Sequence, residues 1–376
     1  MAVLVSISLV VVLGFVALAV DVGFLFVAYS QLQTCADAGA MAGASNLLDG
    51  TLFQGTPDQP NNQVGQTVAR TVAEQYAEMN RVINDFPQVE SNSSNTPTGD
   101  IVLGYLADPW DASSELDTSD PSKFNAVQVR VRRTSSINGP ISTFFAGVFG
   151  ISNASMTAKS TAVMMGSVDG FKVTSETGNA GLLPFAVDVN SWNNLLSGVG
   201  SDFYEYDPGT GSVAGGSDGL LELSMFPLSN AASGNFGTVD IGSSNNSTAD
   251  LERQILDGVS AGDLAYHGGS LKLGPGGTLL LNGDTGVSAG IKDELDAVKG
   301  QPRTIMLYSS VTGNGNNAMY TIVGFAGVRI VSVKLTGALS SKKIVIQPAV
   351  VIDPSATIAG TGYQSKYVYS NVRLAR

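Results

Sequence analysis

Histidine and cysteine, the side chains most often used for proton transfer, thiol chemistry and zinc binding, occur once each in 376 residues, as His267 and Cys35. One of each excludes an intrachain disulfide, a cysteine-rich zinc site and a multi-histidine cage. His267 lies in Tyr266-His-Gly-Gly-Ser270, a turn-like stretch with no signature linking it to a nucleophile and an orienting acid, and reads as a loop histidine rather than a general base. The run Leu273-Gly-Pro-Gly-Gly277 lacks the Lys-Ser/Thr ending of a phosphate loop and reads as a turn between strands. Oxygen ligands are more plentiful, with Asp108, Asp111, Glu115, Asp117 and Asp120 in one acidic group and Asp202, Glu205 and Asp207 in another. Neither has the spacing of a known calcium loop, so solvated loops are expected; calcium is the one cofactor these acids would admit, and no other is expected. Asn92, Asn153, Asn245 and Asn246 each open an N-x-S/T triplet, a pattern too common to carry weight. No catalytic set can be assembled, and an enzyme is not expected.

The elements that would have to position any such residues begin with an apolar block. Residues 1–20, MAVLVSISLVVVLGFVALAV, hold no charge and include Gly14; as a helix they would cover a hydrocarbon core of ~30 Å. The first basic residue is Arg70, so the usual charge asymmetry sets no orientation, and a processed or incomplete start would account for the missing basic flank. Ala17-Leu18-Ala19 resembles a cleavage site, but the length of the block favours a retained anchor over a cleaved signal. Asp21 is expected at the membrane interface, because an acid at the bilayer centre costs about 2.5–3.5 kcal/mol on insertion scales. Beyond it Phe24, Leu25, Val27, Ala28, Leu32, Cys35, Ala36, Gly39 and Ala40 keep an apolar or small face at helical spacing, so one helix is predicted to run to about Asn46. Cys35, Ala36, Gly39, Ala40, Gly43 and Ala44 form a small-residue, GxxxG-bearing face suited to close helix packing. Its partner is either the chain's own globular part or a second subunit, and the assembly role is the functional reading carried forward. For Cys35 the choice is burial or a disulfide to a neighbouring copy, with burial favoured.

The chain is 43% hydrophobic and 14% charged, enough for a sizeable core, and its net charge is −12. Residues 1–124 hold fourteen acids against three bases, while the remainder has eighteen against seventeen. A phosphate backbone attracts the opposite balance, so nucleic acid is not expected as a partner.

The order of apolar span, Val20-Asp21-Val22-Gly23, aromatic continuation, Leu32-Gln33 and then Ala36-Asp37-Ala38-Gly39-Ala40-Met41-Ala42-Gly43-Ala44 resembles the TadG-like branch of the tight-adherence (TadE/TadG-type, Flp) pilus-assembly family. AVQVRVRR at residues 126–133, PISTFFAGVFG at 140–150 and ASMTAKSTAVMM at 154–165 are similar to the strand, short helix and strand that follow in such proteins. A third set, Pro184-Phe185-Ala186, Ser233-Gly-Asn-Phe-Gly237, Gly274-Pro-Gly276 and Ile322-Val-Gly-Phe-Ala-Gly327, resembles their carboxy-terminal region. The resemblance implies an anchored, outward-facing accessory of pilus assembly or surface adhesion. Two departures limit it. Asp188-Val-Asn190-Ser191-Trp192 lacks the D-x-S-x-S metal motif of relatives with a von Willebrand A domain, so no metal site is carried over. Val5 stands where pilins of the broad group have an acid.

The expected fold is α+β: a long amino-terminal helix leading into a small pilin-like α+β module, then a β-rich, sandwich-like domain. The boundaries read as 1–28 for the transmembrane half of the helix, 29–167 for its continuation with the small module, and 168–376 for the β-rich extracytoplasmic domain. Residues 51–63 read as a loop. A second helix is predicted over 64–84, with Val68, Val72, Tyr76 and Met79 as its apolar stripe. A strand is predicted at 101–106, and residues 107–122 should be irregular. Val127, Val129 and Val131 mark a half-buried strand whose wet face or end carries Arg130, Arg132 and Arg133. The sequence thus points to a non-enzymatic, single-span protein of the cytoplasmic membrane with its bulk periplasmic or extracellular. Membrane lipid and other pilus-assembly proteins or copies of itself are the expected partners. The alternative is a subunit that itself polymerises into an extracellular filament through residues 1–46; a hydrolase secreted by cleavage after Ala19 is the weakest reading.

Overall fold

The structure, a computed structural model, describes residues 2–48, 63–226, 234–245, 247–338, 341–359 and 365–375; the loop expected at 51–63, Ser233 and Asn246 fall wholly or almost wholly outside them. The chain divides into two compact units, the first of Met1–Leu48, Asn62–Met164 and Val372–Arg376 and the second chiefly of Met165–Asn371. The last residues therefore pair within the first unit, although sequence order attaches them to the second.

In the first unit helix α1 (Ala2–Ser45) is unbroken over 44 residues, about 66 Å, because no proline or turn residue interrupts it. Its carboxy-terminal half packs antiparallel against α2 (Gln63–Glu78) and across a four-stranded antiparallel sheet. The sheet runs β1 (Ile101–Gly104), β2 (Ala126–Arg133), β3 (Met156–Val163) and the strand Arg373–Leu374. β2 and β3 pair along their whole length, from Ala126 opposite Val163 to Arg133 opposite Met156. The valine alternation behaves as expected: Val127, Val129 and Val131 are fully buried.

One expectation is corrected here. α2 buries Gly65, Ala69, Arg70, Ala73 and Ala77 and leaves Val68, Tyr76 and Met79 exposed, so its large apolar stripe is not its packing face. Small side chains win that face because α1 presents glycine and alanine, and two helices meeting through small residues approach more closely than bulky ones allow. The β2 arginines fall where the alternation puts them, Arg130 and Arg132 half-exposed between the buried valines and Arg133 at the strand's end, and each is held by a partner. Arg130 donates to the Thr98 carbonyl at 2.5 Å, Arg132 pairs with buried Asp100 at 2.6 Å, and Arg133 is buried, bonded to the Gly139 carbonyl and Asp85.

The second unit is β-rich. Its main sheet has seven strands in the order Leu223–Met225, Lys343–Pro348, Ala318–Lys334, Leu279–Asp284, Phe236–Val239, Leu182–Asp188 and Pro302–Thr312. The 17-residue strand Ala318–Lys334 also pairs with Pro302–Thr312, so five of the seven close into a ring. Alternate residues feed two apolar clusters. Leu183, Phe185 and Val187 meet Trp192, Ile255 and Leu295 from the helices Val189–Leu196, Thr248–Asp257 and Lys292–Ala297. Leu182 and Ala186 meet Met306, Tyr320 and Ile322, together with Val168, Phe171 and Leu271 of the small sheet Leu271–Lys272, Val168–Phe171 and Ala356–Ile358. The strand Leu182–Asp188 had no clear sequence signal because Pro184 removes a ladder donor. The ladder with Pro302–Thr312 accommodates it by a register shift between Thr304 and Met306.

Candidate functional site

α1 changes character along its length. Residues 3–13 expose every side chain, and of residues 14–20 only Gly14 and Ala17 are half-buried. A Cβ added at Gly14 would meet nothing within 4 Å, so this glycine makes no packing contact in the chain. This part of the helix is long and apolar enough to cross a membrane.

Asp21 is the first buried residue of the helix; Val22, Phe26, Val27 and Tyr29 beyond it are exposed again, and the packed face begins at Ala28 and Leu32. The Asp21 side chain is only 2% exposed. Oδ1 accepts from the Phe144 N–H at 2.7 Å, and Oδ2 accepts from the Phe145 and Ala146 N–H groups at 2.9 and 2.6 Å. Three successive amides thus converge on one acid, at the mouth of a 3-10 turn, Ala146–Phe149, which ends on Gly150 at φ 82°. The Phe24 ring packs edge-on against Phe144, with centroids 4.9 Å apart. The turn leaves Phe144, Phe145, Val148, Phe149 and Ile151 exposed, Val148 to 87%. The sequence reading did not connect these residues to Asp21; the available signal was the absence of any ionisable residue between Arg133 and Lys159 around two adjacent phenylalanines.

The small-residue face is filled within the chain. Cys35, Ala36, Gly39, Ala40, Gly43 and Ala44 are all buried. A Cβ on Gly39 would lie 2.8 Å from the Ala73 carbonyl and 2.9 Å from the Ala77 Cβ. One on Gly43 would lie 2.8 Å from the Ala73 Cβ and 3.0 Å from the Ala69 carbonyl. The face read for assembly with another subunit is therefore the seam between α1, α2 and β2. The Cys35 thiol donates to the Asn80 carbonyl at 3.5 Å, and burial pushes its pKa up to about 11. It is not placed to reach a neighbouring copy.

The acidic loops satisfy themselves. Asp108 accepts from the Trp110 amide, and Asp111, Asp117 and Asp120 accept from the amides two residues on. The Ser122 hydroxyl and Lys123 hold Asp120 at about 2. Asp202 accepts from the Ser217 hydroxyl and the Asp218 and Gly219 amides, and Asp207 from the Gly209 amide. Among the described residues, no group of three or more His, Cys, Asp or Glu is placed to hold a metal ion. His267 is half-buried after the short helix Ala261–Ala265, and burial lowers its pKa against the opposing pull of the Ile241 and Asp240 carbonyls. Asp188 is the N-cap of Val189–Leu196, accepting from the Ser191 amide and hydroxyl at 2.8 and 2.9 Å, a structural use of the acid at the displaced metal motif.

These features define, first, a helix-led α+β unit followed by a β-rich one, with its distinctive chemistry in packing. Residues 1–46 match the family model described as Flp pilus-assembly TadE/G-like, and residues 42–162 match the one described as Tad-like Flp pilus-assembly. The two matches together cover residues 1–162, less than half of the chain, and this part is similar to the TadE/G-like family of Flp pilus assembly. The matched stretch ends at the last residues of β3, and no curated protein and no solved structure matches the chain.

Proposed function

We propose that the protein is a non-enzymatic, membrane-anchored component of Flp pilus assembly, held by the apolar part of α1 within residues 2–28, with the rest of both compact units outside the cytoplasmic membrane. The observation that carries this reading is the change in α1 along its length: its side chains are apolar and mostly exposed up to Val27, and from Ala28 and Leu32 onward one face is built into a folded unit. An apolar helix of this length standing free in water would be strongly unfavourable at ~25 cal/mol per Å² of apolar surface, and a bilayer removes that exposure. Other pilus-assembly proteins are its partners in this reading, with lipid around the span; net charge −12 does not suit nucleic acid. The filament alternative is disfavoured because the GxxxG face that would bring helices together is occupied by α2.

The test is to fractionate cells producing the native chain and to sequence its amino terminus from membranes and from sheared filaments. Intact apolar helix in alkali-resistant membranes, with the rest of the chain digested by protease added from outside the cytoplasm, is the expected result. The chain as a dominant component of purified filaments would reverse the choice in favour of a structural subunit, and release into the medium without the helix would refute both.

A further inference from the structure

We propose that residues 143–152 form a second membrane-embedded element, seated in the lipid beside the amino-terminal span and clamped to it by Asp21. This rests on the anchored reading of α1 and adds a contact that the helix alone does not supply. Position comes first. The exposed apolar residues of α1 run from Val3 to Val27, about 36 Å along the helix, so a hydrocarbon core of ~30 Å laid over them ends within about 10 Å of Asp21. Hydrogen bonds from Phe144, Phe145 and Ala146 to Asp21 fix the turn at the depth of that acid.

Composition and backbone agree with it. Phe144, Phe145, Val148, Phe149 and Ile151 are exposed together, and no ionisable residue lies between Arg133 and Lys159 to draw the turn back into water. A segment entering lipid must satisfy its own polar backbone. Here Val148 donates to the Phe145 carbonyl at 3.1 Å, Gly150 to Gly147 at 3.0 Å, Ile151 to Ala146 at 3.1 Å and Thr143 to Ser152 at 3.1 Å, while the Thr143 hydroxyl closes on the Ile151 carbonyl at 2.6 Å. The same geometry resolves the acid. A carboxylate beside hydrocarbon is unfavourable when bare, and three amide donors let it enter with the turn as one hydrogen-bonded unit. Lipid is the occupant because the patch is continuous, through Phe24 and Phe144, with the helix that lipid surrounds; a protein partner would have to displace that lipid to reach it.

The test uses the full chain in vesicles of phosphatidylcholine and phosphatidylglycerol (3:1) carrying doxyl-labelled lipid. In a Cys35→Ala background, single substitutions Val10→Cys, Val148→Cys and Ser113→Cys are labelled with an environment-sensitive fluorophore. Ser113 is exposed and lines a groove with Gln33 and Asp37, about 20 Å beyond Asp21 along the helix. Quenching by lipid at 10 and 148, at least threefold stronger than at 113, is the expected result, and Asp21→Ala should cut quenching at 148 severalfold while leaving it at 10. Quenching at 10 without quenching at 148 overturns the embedded turn and leaves the anchor standing. A shielded but unquenched label at 148 means that protein covers the patch and also overturns it. Loss of quenching at both positions refutes the anchor itself, and unchanged quenching at 148 in Asp21→Ala removes the clamp.

Discussion

Gly43→Ala adds one methyl group to the seam between α1 and α2, and the outcome turns on two opposed magnitudes. Replacing glycine inside a helix gains about 0.8–1.0 kcal/mol of propensity. Against it, the new Cβ would stand 2.8 Å from the Ala73 Cβ, 3.0 Å from the Ala69 carbonyl and 3.1 Å from Val127 Cγ1. Backbone and sheet must both move, and overpacking of that kind costs about 1–3 kcal/mol. Net destabilisation of up to about 2 kcal/mol is expected, and Gly43→Val, with more volume to place, should exceed it. Ala73→Gly removes the nearest contact, so the cycle Gly43→Ala, Ala73→Gly and the pair should show a favourable coupling of about 0.5–1 kcal/mol, characteristic of groups in contact. Gly14→Ala is the control, since nothing lies within 4 Å of its added methyl and only the propensity gain remains. The assay is denaturant unfolding of the full chain in detergent micelles, monitored by amide exchange of α2. A Gly43→Ala chain as stable as the parent, together with reduced self-association, would refute the internal-seam argument and return this face to intersubunit packing.

The Cys35 thiol, buried and held near pKa 11, should resist maleimide at pH 7.5 in the folded chain and react on denaturation, as read by intact mass; rapid native labelling would contradict its placement. For Asp263, burial would raise the carboxyl, but hydrogen bonds from Arg253 and Ser260 outweigh it and hold its pKa well below the usual range. The folded value lies below the unfolded one of ~3.9, so the contribution is present above about pH 4 and fades as pH falls below it. Asp263→Asn also loses the capping-box acid of Ala261–Ala265, worth about 1 kcal/mol, and should lower the melting midpoint by about 2–4 °C at pH 7. That gap should narrow below pH 4 in scanning calorimetry; a gap constant with pH would show that charge is not involved. Asp188→Ala should cost about 1 kcal/mol through loss of the N-cap, with no dependence on added Mg²⁺ or Ca²⁺ in thermal shift; stabilisation of the parent alone by either ion would reinstate a metal role for this acid.

Periodicity made the long helix legible and left its neighbours obscure. The pattern predicts α1 to about Asn46 and the helix ends at Ser45, because an uninterrupted run of apolar and small residues leaves few alternatives. α2 was located, but its face was misread: Val68, Tyr76 and Met79 look like a core stripe only if the partner surface accepts bulky side chains, and α1 offers glycine. Strand β2 was plain from alternating valines, whereas the arginines between them gave no hint that the Asp85, Thr98, Gly139 and Asp100 neighbourhoods would consume them. The Asp21 clamp was unreadable in principle from local pattern, since its donors lie 123 to 125 residues away and are backbone amides, which every residue type supplies.

Both hydrophobicity and side-chain size distinguish the two halves of α1, and size is the more telling for what packs against them. Up to Val20 the helix carries Val, Leu, Ile and Phe on all sides, and between Cys35 and Ala44 it carries alanine and glycine on the buried side. Lipid tails conform to bulky, irregular side chains, whereas a neighbouring helix rewards a flat, small-residue surface that admits its backbone. A GxxxG step in an apolar helix is therefore ambiguous until its depth is known: within the bilayer it favours a second span, beyond it a helix of the same fold. Gly39 and Gly43 lie about 27 and 33 Å past Asp21 along the axis, which in the proposed anchoring puts them outside the hydrocarbon core. Under that anchoring the competing solvent at the seam is water, so burial of α2 is driven by the hydrophobic effect as well as by close contact, and the intrachain partner at high effective concentration is favoured over a second copy.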